Sequence, residues 1–304
     1  MIPSPETSTP WLAGLLLGPI VLSGFLFSGH LAFRGLKSPL PWATAAIGSL
    51  LLLFLGGLGL DLLGVPLTAR TLGAWLGLTS LAGWWLGGRG PIASRRLNWT
   101  WPSWREAWWV LPCIVAFGSI LAFGLCDPLS GFDNFFRWNY LALVMQHQGS
   151  LAHYPPASAA DFRVYPWCDG IPPLVPIANL WIYLGTHSTS GALIVGRLVV
   201  ELGLTLGLVW HLARQLWGPT GARVAVLVLS TSSLFGWSMG MEQETGLSGV
   251  AALALAALIL AYREAPSLST AIWIGLTAAV SALCRDYNLV FIPAALIALA
   301  AAVS

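Results

Sequence analysis

Long apolar runs, separated by short polar turns, follow one another along almost the whole chain. About 20 apolar residues in a helix cross the hydrocarbon core of a bilayer, so each such run predicts a membrane-spanning helix. We predict nine of these segments, at residues 11–33, 42–60, 71–88, 107–125, 191–213, 222–241, 246–262, 268–284 and 289–303. A further apolar piece, at residues 171–187, is predicted as a re-entrant segment.

The composition indicates the same class of protein. Hydrophobic residues make up 57% of the 304 residues and charged residues only 9%, and the mean hydropathy is +0.76. We therefore expect an all-α polytopic membrane protein with about nine transmembrane helices. The first ten residues contain no lysine or arginine, so the first apolar run is expected to remain as an anchor. No basic tract or zinc-finger spacing indicates a nucleic-acid partner.

The distribution of charge predicts the orientation, because short loops rich in arginine and lysine stay on the cytoplasmic side. With the N-terminus outside, the inner loops hold nine basic residues against two acids, whereas the outer side holds four arginines against nine acids. We predict a multi-pass protein of the plasma membrane whose N-terminus and acidic loops are extracytoplasmic. Nucleotide sugars are not normally available on that side, so a donor would have to arrive on another carrier.

The outer side includes a loop of about 45 residues, 126–170, that holds four carboxylates, two arginines and two histidines. Ionisable groups kept at a membrane surface usually have a function. Residues 132–149 lack proline and internal glycine and are predicted to form a helix along the interface. Cys126 and Cys168 bracket the loop, and a disulfide between them is left open.

Several motifs resemble the glycosyltransferase C superfamily of integral membrane enzymes. The loop begins with GFDNFFRWNYLA at residues 131–142, and YPP, YPW and PPLVPIANLW follow. MEQETG at 241–246 is similar to the short second outer loop of that superfamily, and SALCRDYNLVFIPAAL at 281–296 is similar to its passage of helix, polar turn and helix. The resemblance extends from about residue 107 to the C-terminus.

The resemblance implies a glycosyltransferase, similar to protein O-mannosyltransferases and aminoarabinose transferases, with a polyprenyl-phosphate sugar as donor. It divides the chain into an N-terminal three-helix extension, 1–106, and a membrane core, 107–304, whose first outer loop covers about 126–190. Asn134 stands where the family often has the second acid of a pair. The chain ends inside an apolar run, so we expect the core to be truncated at its C-terminus.

Transfer from a lipid phosphate requires one base, because the phosphate leaving group needs no strong acid, unlike the leaving group in a glycosidase. Asp133 is the candidate general base, which would take the proton of an acceptor hydroxyl with inversion at the anomeric carbon. Arg137 and Arg285 are the candidates for holding the phosphate. The alternative for Asp133 and Arg137 is a surface ion pair one helical turn apart.

Four further residues are predicted to bind substrate. Glu242 and Glu244 share a short outer loop, where they could position the acceptor or, with Asp133, hold a divalent cation through oxygen ligands. A solvated acidic turn is the alternative for this pair. Trp138 offers a flat apolar face for a sugar ring or a polyprenyl chain, and Asp169 is a further acidic candidate. No histidine spacing indicates a zinc site.

Arg197 and Glu201 lie one helical turn apart inside an apolar segment and are predicted to neutralise each other in the bundle interior. Two other classes of function stay open. One is a transporter or flippase of lipid-linked sugars, which should show inverted repeats and broken helices; the other is a non-catalytic membrane subunit. The acids concentrated in outer loops favour chemistry at the membrane surface, with a lipid, glycan or protein as acceptor.

Overall fold

The computed structural model describes residues 25–87, 107–135, 137–151, 158–160 and 172–301, and within these ranges the chain forms helices and loops without a strand. The helices are α1 (Pro41–Leu62), α2 (Ala69–Leu86), α3 (Ala107–Cys126), α4 (Trp138–Gln148), α5 (Leu174–Thr186), α6 (Val195–Thr231), α7 (Ser233–Gly240), α8 (Thr245–Glu264), α9 (Leu268–Cys284) and α10 (Phe291–Ala301). Residues 25–32 are also helical. Short 3-10 helices lie at Phe132–Phe135, Gly191–Leu193 and Asp286–Val290.

Four stretches of the described chain are long and apolar enough to cross a membrane. They are Pro41–Leu62, Trp108–Cys126, Gly191–Thr231 and Thr245–Glu264. The predicted all-helical membrane fold is therefore confirmed in outline, whereas the count of nine spans stays a prediction. The first predicted segment, 11–33, lies mostly outside the described residues.

The longest helix reverses direction at Gly218. α6 covers 37 residues, but Gly218 has φ 73° and ψ −173°, which glycine tolerates because it has no Cβ, and a proline follows. Arg197, near the start of α6, donates hydrogen bonds to the carbonyl oxygens of Glu242 and Gln243. The helical stretch 195–217 and the stretch 219–240, which includes α7, are each about 30 Å long, and their far ends can meet only if the chain folds back between them. The two segments predicted here are therefore separated by this reversal.

Helices α4 and α5 are short and pack together in the core. With 13 residues, α5 is about 20 Å long, which is less than a bilayer core requires, and most of its side chains are buried. Helix α4 begins only at Trp138, because Arg137 has φ −123° and ψ −97°, outside the helical region. The single interfacial helix predicted for residues 132–149 is therefore wrong: a 3-10 helix and a largely buried α-helix take its place.

Polar side chains define the starts of two of the apolar helices. Thr68 and Thr71 form a reciprocal cap at the start of α2, in which each hydroxyl accepts a hydrogen bond from the other residue's amide, at 3.2 and 2.9 Å. Ser267 accepts a hydrogen bond of 3.2 Å from the Thr270 amide at the start of α9. These caps satisfy amide groups that the first turn of a helix leaves open.

Candidate functional site

Three segments that are distant in sequence meet at one end of the helix bundle, which we call the site end. They are residues 127–135 after α3, the turn 241–244 between α7 and α8, and residues 285–287 after α9. The turn contacts both of the other segments through hydrogen bonds and an ion pair. The loops that the sequence assigns to one face thus lie at one end, while the side of the membrane they occupy stays a prediction.

Asp133 and Arg137 form the pair that the sequence spacing predicts. Oδ2 of Asp133 accepts a hydrogen bond of 2.7 Å from Nη1 of Arg137, and the Arg137 amide donates to the Asp133 carbonyl oxygen, also at 2.7 Å. The Asp133 side chain is 27% exposed and the Arg137 side chain 17%. The arginine therefore holds the carboxylate in one orientation and leaves it accessible.

Arg285 lies among aromatic and acidic side chains. Its guanidinium carbon is 5.3 Å from the ring centroid of Trp138 and 5.5 Å from that of Tyr287, within the range of cation–π contacts. Its nitrogens lie 3.6 Å from Oε1 of Glu244 and 3.7 Å from Oδ1 of Asp286, distances that are too long for hydrogen bonds. Among the described residues, Nε and Nη1 of Arg285 and Nε1 of the buried Trp138 have no hydrogen-bond partner. Such N–H groups have unused capacity to bind an anion.

Glu242 and Glu244 are buried, so the alternative of a solvated acidic turn is wrong. Oε2 of Glu242 accepts a hydrogen bond of 3.1 Å from the Leu129 amide, and burial raises the pKa of Glu242 to about 8. Burial also raises the pKa of Glu244, the positive charge of Arg285 lowers it, and the negative charge of Asp133 raises it. Glu244 therefore interacts electrostatically with both the candidate base and the candidate phosphate ligand.

Arg197 anchors the turn 241–244 from inside the bundle. Its Nη2 donates hydrogen bonds to the carbonyl oxygens of Glu242 at 2.5 Å and Gln243 at 2.9 Å, and its Nη1 donates to Oδ1 of Asn179 at 2.9 Å. Its Nε lies 3.0 Å from Oε1 of Glu201, in a contact oriented as an ion pair rather than as an aligned hydrogen bond. The predicted pair of Arg197 and Glu201 is confirmed, and the arginine also fixes the backbone of the turn.

Two glycines make room for the buried carboxylates. A Cβ at Gly124 would lie 2.9 Å from Oε1 of Glu242, and a Cβ at Gly246 would overlap the carboxylate of Glu201. At both positions the acid lies directly against a helix backbone. A side chain at either position would have to displace a buried carboxyl group.

Six of the seven predicted site residues lie together at the site end: Asp133, Arg137, Trp138, Glu242, Glu244 and Arg285. Asp169 lies outside the described residues, as does Cys168, so the role of that aspartate and the disulfide with Cys126 stay predictions. The ring of Trp138 is buried against Arg285, and its contact with substrate also stays a prediction.

Three residues at the site end carry no functional prediction from the sequence: Asn134, Arg197 and Tyr287. Glu201, one turn after Arg197, was a signal for an ion pair but not for a contact with the turn 241–244. The sequence around Asn134 contains no comparable signal, because its partner is a backbone carbonyl 107 residues away. These roles depend on tertiary contacts that local spacing does not encode.

Metal ligands do not cluster in the part of the chain that the structure describes. There, no group of three or more histidine, cysteine, aspartate or glutamate side chains could hold a metal ion. One oxygen of Glu242 already accepts a backbone hydrogen bond. The divalent cation suggested for Asp133, Glu242 and Glu244 therefore gains no support from this arrangement.

Comparison with known proteins finds one family model that matches the second part of the chain. Residues 172–304 match the family described as dolichyl-phosphate-mannose-protein mannosyltransferase, a region that includes Glu244 and Arg285 but not Asp133. No curated protein and no solved structure matches the chain. The resemblance to the glycosyltransferase C superfamily is thus confirmed for residues 172–304, and this match points to a membrane glycosyltransferase of that type.

Proposed function

We propose that the protein moves a sugar from a polyprenyl-phosphate donor to an acceptor hydroxyl on the extracytoplasmic face of the membrane. The observation that best supports this proposal is the meeting of Asp133 and Arg137 with Glu244 and Arg285 at one end of an apolar bundle. This arrangement offers a carboxylate to take a proton and guanidinium groups to bind a phosphate. The surrounding bilayer can deliver a lipid-linked donor to it.

Asp133 acts as the general base in this proposal. A base must reach the proton that it removes, and the carboxylate of Asp133 is partly exposed and oriented by Arg137. Glu242 and Glu244 are less suitable because both are buried, and Glu242 already accepts a hydrogen bond from the backbone. Asp133 is therefore the accessible carboxylate among the three.

Arg285 binds the phosphate of the donor. The Arg285 side chain is 20% exposed, so its guanidinium group can donate hydrogen bonds to phosphate oxygens. The rings of Trp138 and Tyr287 hold the guanidinium in place before the substrate arrives, so little reorganisation is needed on binding. Glu244, 3.6 Å from Arg285, helps to orient the same group.

The reaction is a single displacement. The acceptor oxygen forms a bond to the anomeric carbon while its proton passes to Asp133. The bond between that carbon and the phosphate oxygen breaks, and its electron pair leaves with the polyprenyl phosphate. Attack from the side opposite the leaving group inverts the configuration, and Arg285 and Arg137 stabilise the negative charge that develops on the phosphate.

The proposal is tested by sugar transfer in reconstituted vesicles. The donor is polyprenyl phosphate carrying radiolabelled mannose, the sugar named in the description of the matching family. A host membrane extract supplies the acceptors, and label is counted in its lipid, glycan and protein fractions. We expect Asp133→Asn to lower the transfer rate by about 10²- to 10⁴-fold, the usual contribution of a positioned base.

A matched control is Glu264→Gln, which neutralises an exposed acid far from the site end and should keep the wild-type rate. Undiminished transfer by Asp133→Asn would remove the base assignment, whereas a wild-type protein that neither transfers sugar nor moves the donor would favour a non-catalytic subunit. Movement of intact donor across the vesicle membrane, without transfer by the wild-type protein, would support a flippase instead.

A further inference from the structure

We infer that Asn134 is a positioning residue for Asp133, an inference that rests on the proposed function of that aspartate. Asn134 is 2% exposed, and its Nδ2 donates a hydrogen bond of 2.7 Å to the carbonyl oxygen of Met241. This bond ties the loop that carries Asp133 to the turn that carries Glu244. Asn134 thus acts on the base through the backbone that the two residues share.

The same loop and turn are joined at two further points. The Leu129 amide donates a hydrogen bond of 3.1 Å to Oε2 of Glu242. Gly131 packs so closely on Gln243 that a Cβ at Gly131 would overlap the side-chain amide of Gln243. The loop therefore rests on the turn along its length, and Asn134 holds the end that is next to Asp133.

The turn is a fixed support, because it is anchored from inside the bundle. Arg197 binds the carbonyl oxygens of Glu242 and Gln243 while it pairs with the buried Glu201. A loop that is bonded to this turn has its position set relative to the helices. The bond from Asn134 consequently sets the separation between the proposed base and the ion pair of Glu244 with Arg285.

The side chain at position 134 must donate a hydrogen bond, which an ionised acid cannot do. Its partner is a backbone carbonyl oxygen, which can only accept a hydrogen bond. An ionised carboxylate at this buried position would place two acceptors against each other, at a cost in free energy. A second acid beside Asp133, the pattern that the resemblance suggests, therefore does not suit the contacts that this chain makes.

The decisive variant is Asn134→Asp, because it keeps the size of the side chain and restores an acidic pair. If Asn134 positions Asp133, Asn134→Asp and Asn134→Ala should each lower kcat for mannose transfer by about tenfold to 100-fold, the effect of misplacing a reacting group. The KM for the donor should stay near the wild-type value, since the proposed phosphate ligand is Arg285. A kcat for Asn134→Asp equal to or above the wild-type value would overturn the inference.

The matched control is Gln215→Glu, which also replaces an amide donor by an acid. Gln215 is exposed and donates a hydrogen bond of 2.5 Å to Glu264, and it lies about 27 Å along α6 from Arg197. This variant should keep the wild-type kcat and KM. An equal loss of kcat in the control would mean that the effect of Asn134→Asp is not specific to position 134, and would also overturn the inference.

Thermal unfolding in detergent gives a second measurement that needs no activity. At low pH a protonated aspartate at position 134 can donate to the Met241 carbonyl, so the unfolding temperature of Asn134→Asp should recover towards wild type, whereas that of Asn134→Ala should not. The neighbouring charged groups, Asp133, Arg137 and Glu242, are common to both variants. Absence of transfer by the wild-type protein would count against the proposed function. Equal changes of unfolding temperature with pH in the two variants would instead overturn the role given to the hydrogen bond from Asn134 to Met241.

Discussion

The guanidinium of Arg285 lies over the ring of Trp138, with 5.3 Å between the guanidinium carbon and the ring centroid. The contact joins the start of α4 to the turn after α9. Trp138 is fully buried, and desolvation strengthens an interaction of this kind. The ring therefore fixes the plane of the guanidinium while Nε and Nη1 remain without hydrogen-bond partners among the described residues.

Replacement of Arg285 by lysine should damage donor binding even though the charge is kept. An ammonium group lacks the planar fork of arginine and its stacking surface. We expect Arg285→Lys to raise the KM for polyprenyl-phosphate mannose and to lower kcat/KM at least about tenfold, as the loss of one charge-assisted hydrogen bond would. Steady-state transfer rates over a range of donor concentrations measure this. Arg263→Lys, in the last turn of α8, is the control, and an equal loss in both variants would contradict the prediction.

The buried carboxyl group of Glu242 should make stability depend on pH. Burial raises its pKa from 4.5 to about 8, so the folded protein binds this proton more tightly than the unfolded chain does. The resulting stabilisation is fully present below about pH 4.5 and is lost as the pH rises through about 8. Glutamine cannot ionise, so the unfolding temperature of Glu242→Gln should fall less than that of the wild-type protein as the pH rises from about 5 to about 8.5, the range over which this linkage acts.

Unfolding temperatures of the two proteins, measured in the same detergent, test this expectation. Glu264→Gln, which changes an exposed acid, should retain the slope of the wild-type protein. Parallel curves for Glu242→Gln and the wild-type protein would show that Glu242 does not carry the effect.

A methyl group at Gly246 should destabilise the protein, because the new Cβ would overlap the carboxylate of Glu201. Overpacking of this kind costs about 1–3 kcal/mol in the free energy of unfolding. Gly249→Ala provides a control in the same helix, where a Cβ meets no atom of the described structure within 4 Å. There the change should be neutral or stabilising by up to about 1 kcal/mol, because alanine is the better helix former. Equal effects at the two positions in chemical denaturation would refute the close approach of Glu201.

Removal of the Arg197 side chain should cost more stability than removal of both members of its ion pair. Arg197→Met leaves Glu201 buried without its partner, a change that typically costs about 3–5 kcal/mol. The double variant Arg197→Met with Glu201→Gln should recover part of that loss. Recovery should stay incomplete, since the carbonyl oxygens of Glu242 and Gln243 still lack their donor. A double variant less stable than the single one would rule out this account of the pair.

Hydropathy and charge predict much of the fold, because a bilayer imposes the length of a spanning helix and the loops at one end must come together. Asp133, Glu242, Glu244 and Arg285 gather at one end for this reason. Burial of the two glutamates is not predictable in the same way, since a turn with two acids is normally solvated. Only the folded chain shows that Arg197 holds the turn inside the bundle.

The helix predicted for residues 132–149 shows where local pattern fails. Residues 132–149 contain no proline and no glycine before the last position, so nothing in the sequence marks a break. The break arises because Asn134 bonds to Met241, which lies far along the chain, while Trp138 is buried under Arg285. These two tertiary contacts divide the segment, and the spacing of residues in the sequence contains no information about either contact.

The chain reversal at Gly218 couples the lengths of the two helical stretches on either side of it, 195–217 and 219–240. One residue added to either stretch would rotate everything beyond it by about 100° and advance it by about 1.5 Å. Arg197 would then face away from the carbonyl oxygens of Glu242 and Gln243. In related proteins with the same anchor, insertions and deletions should therefore be confined to the bend or should occur in matched numbers on both sides of it.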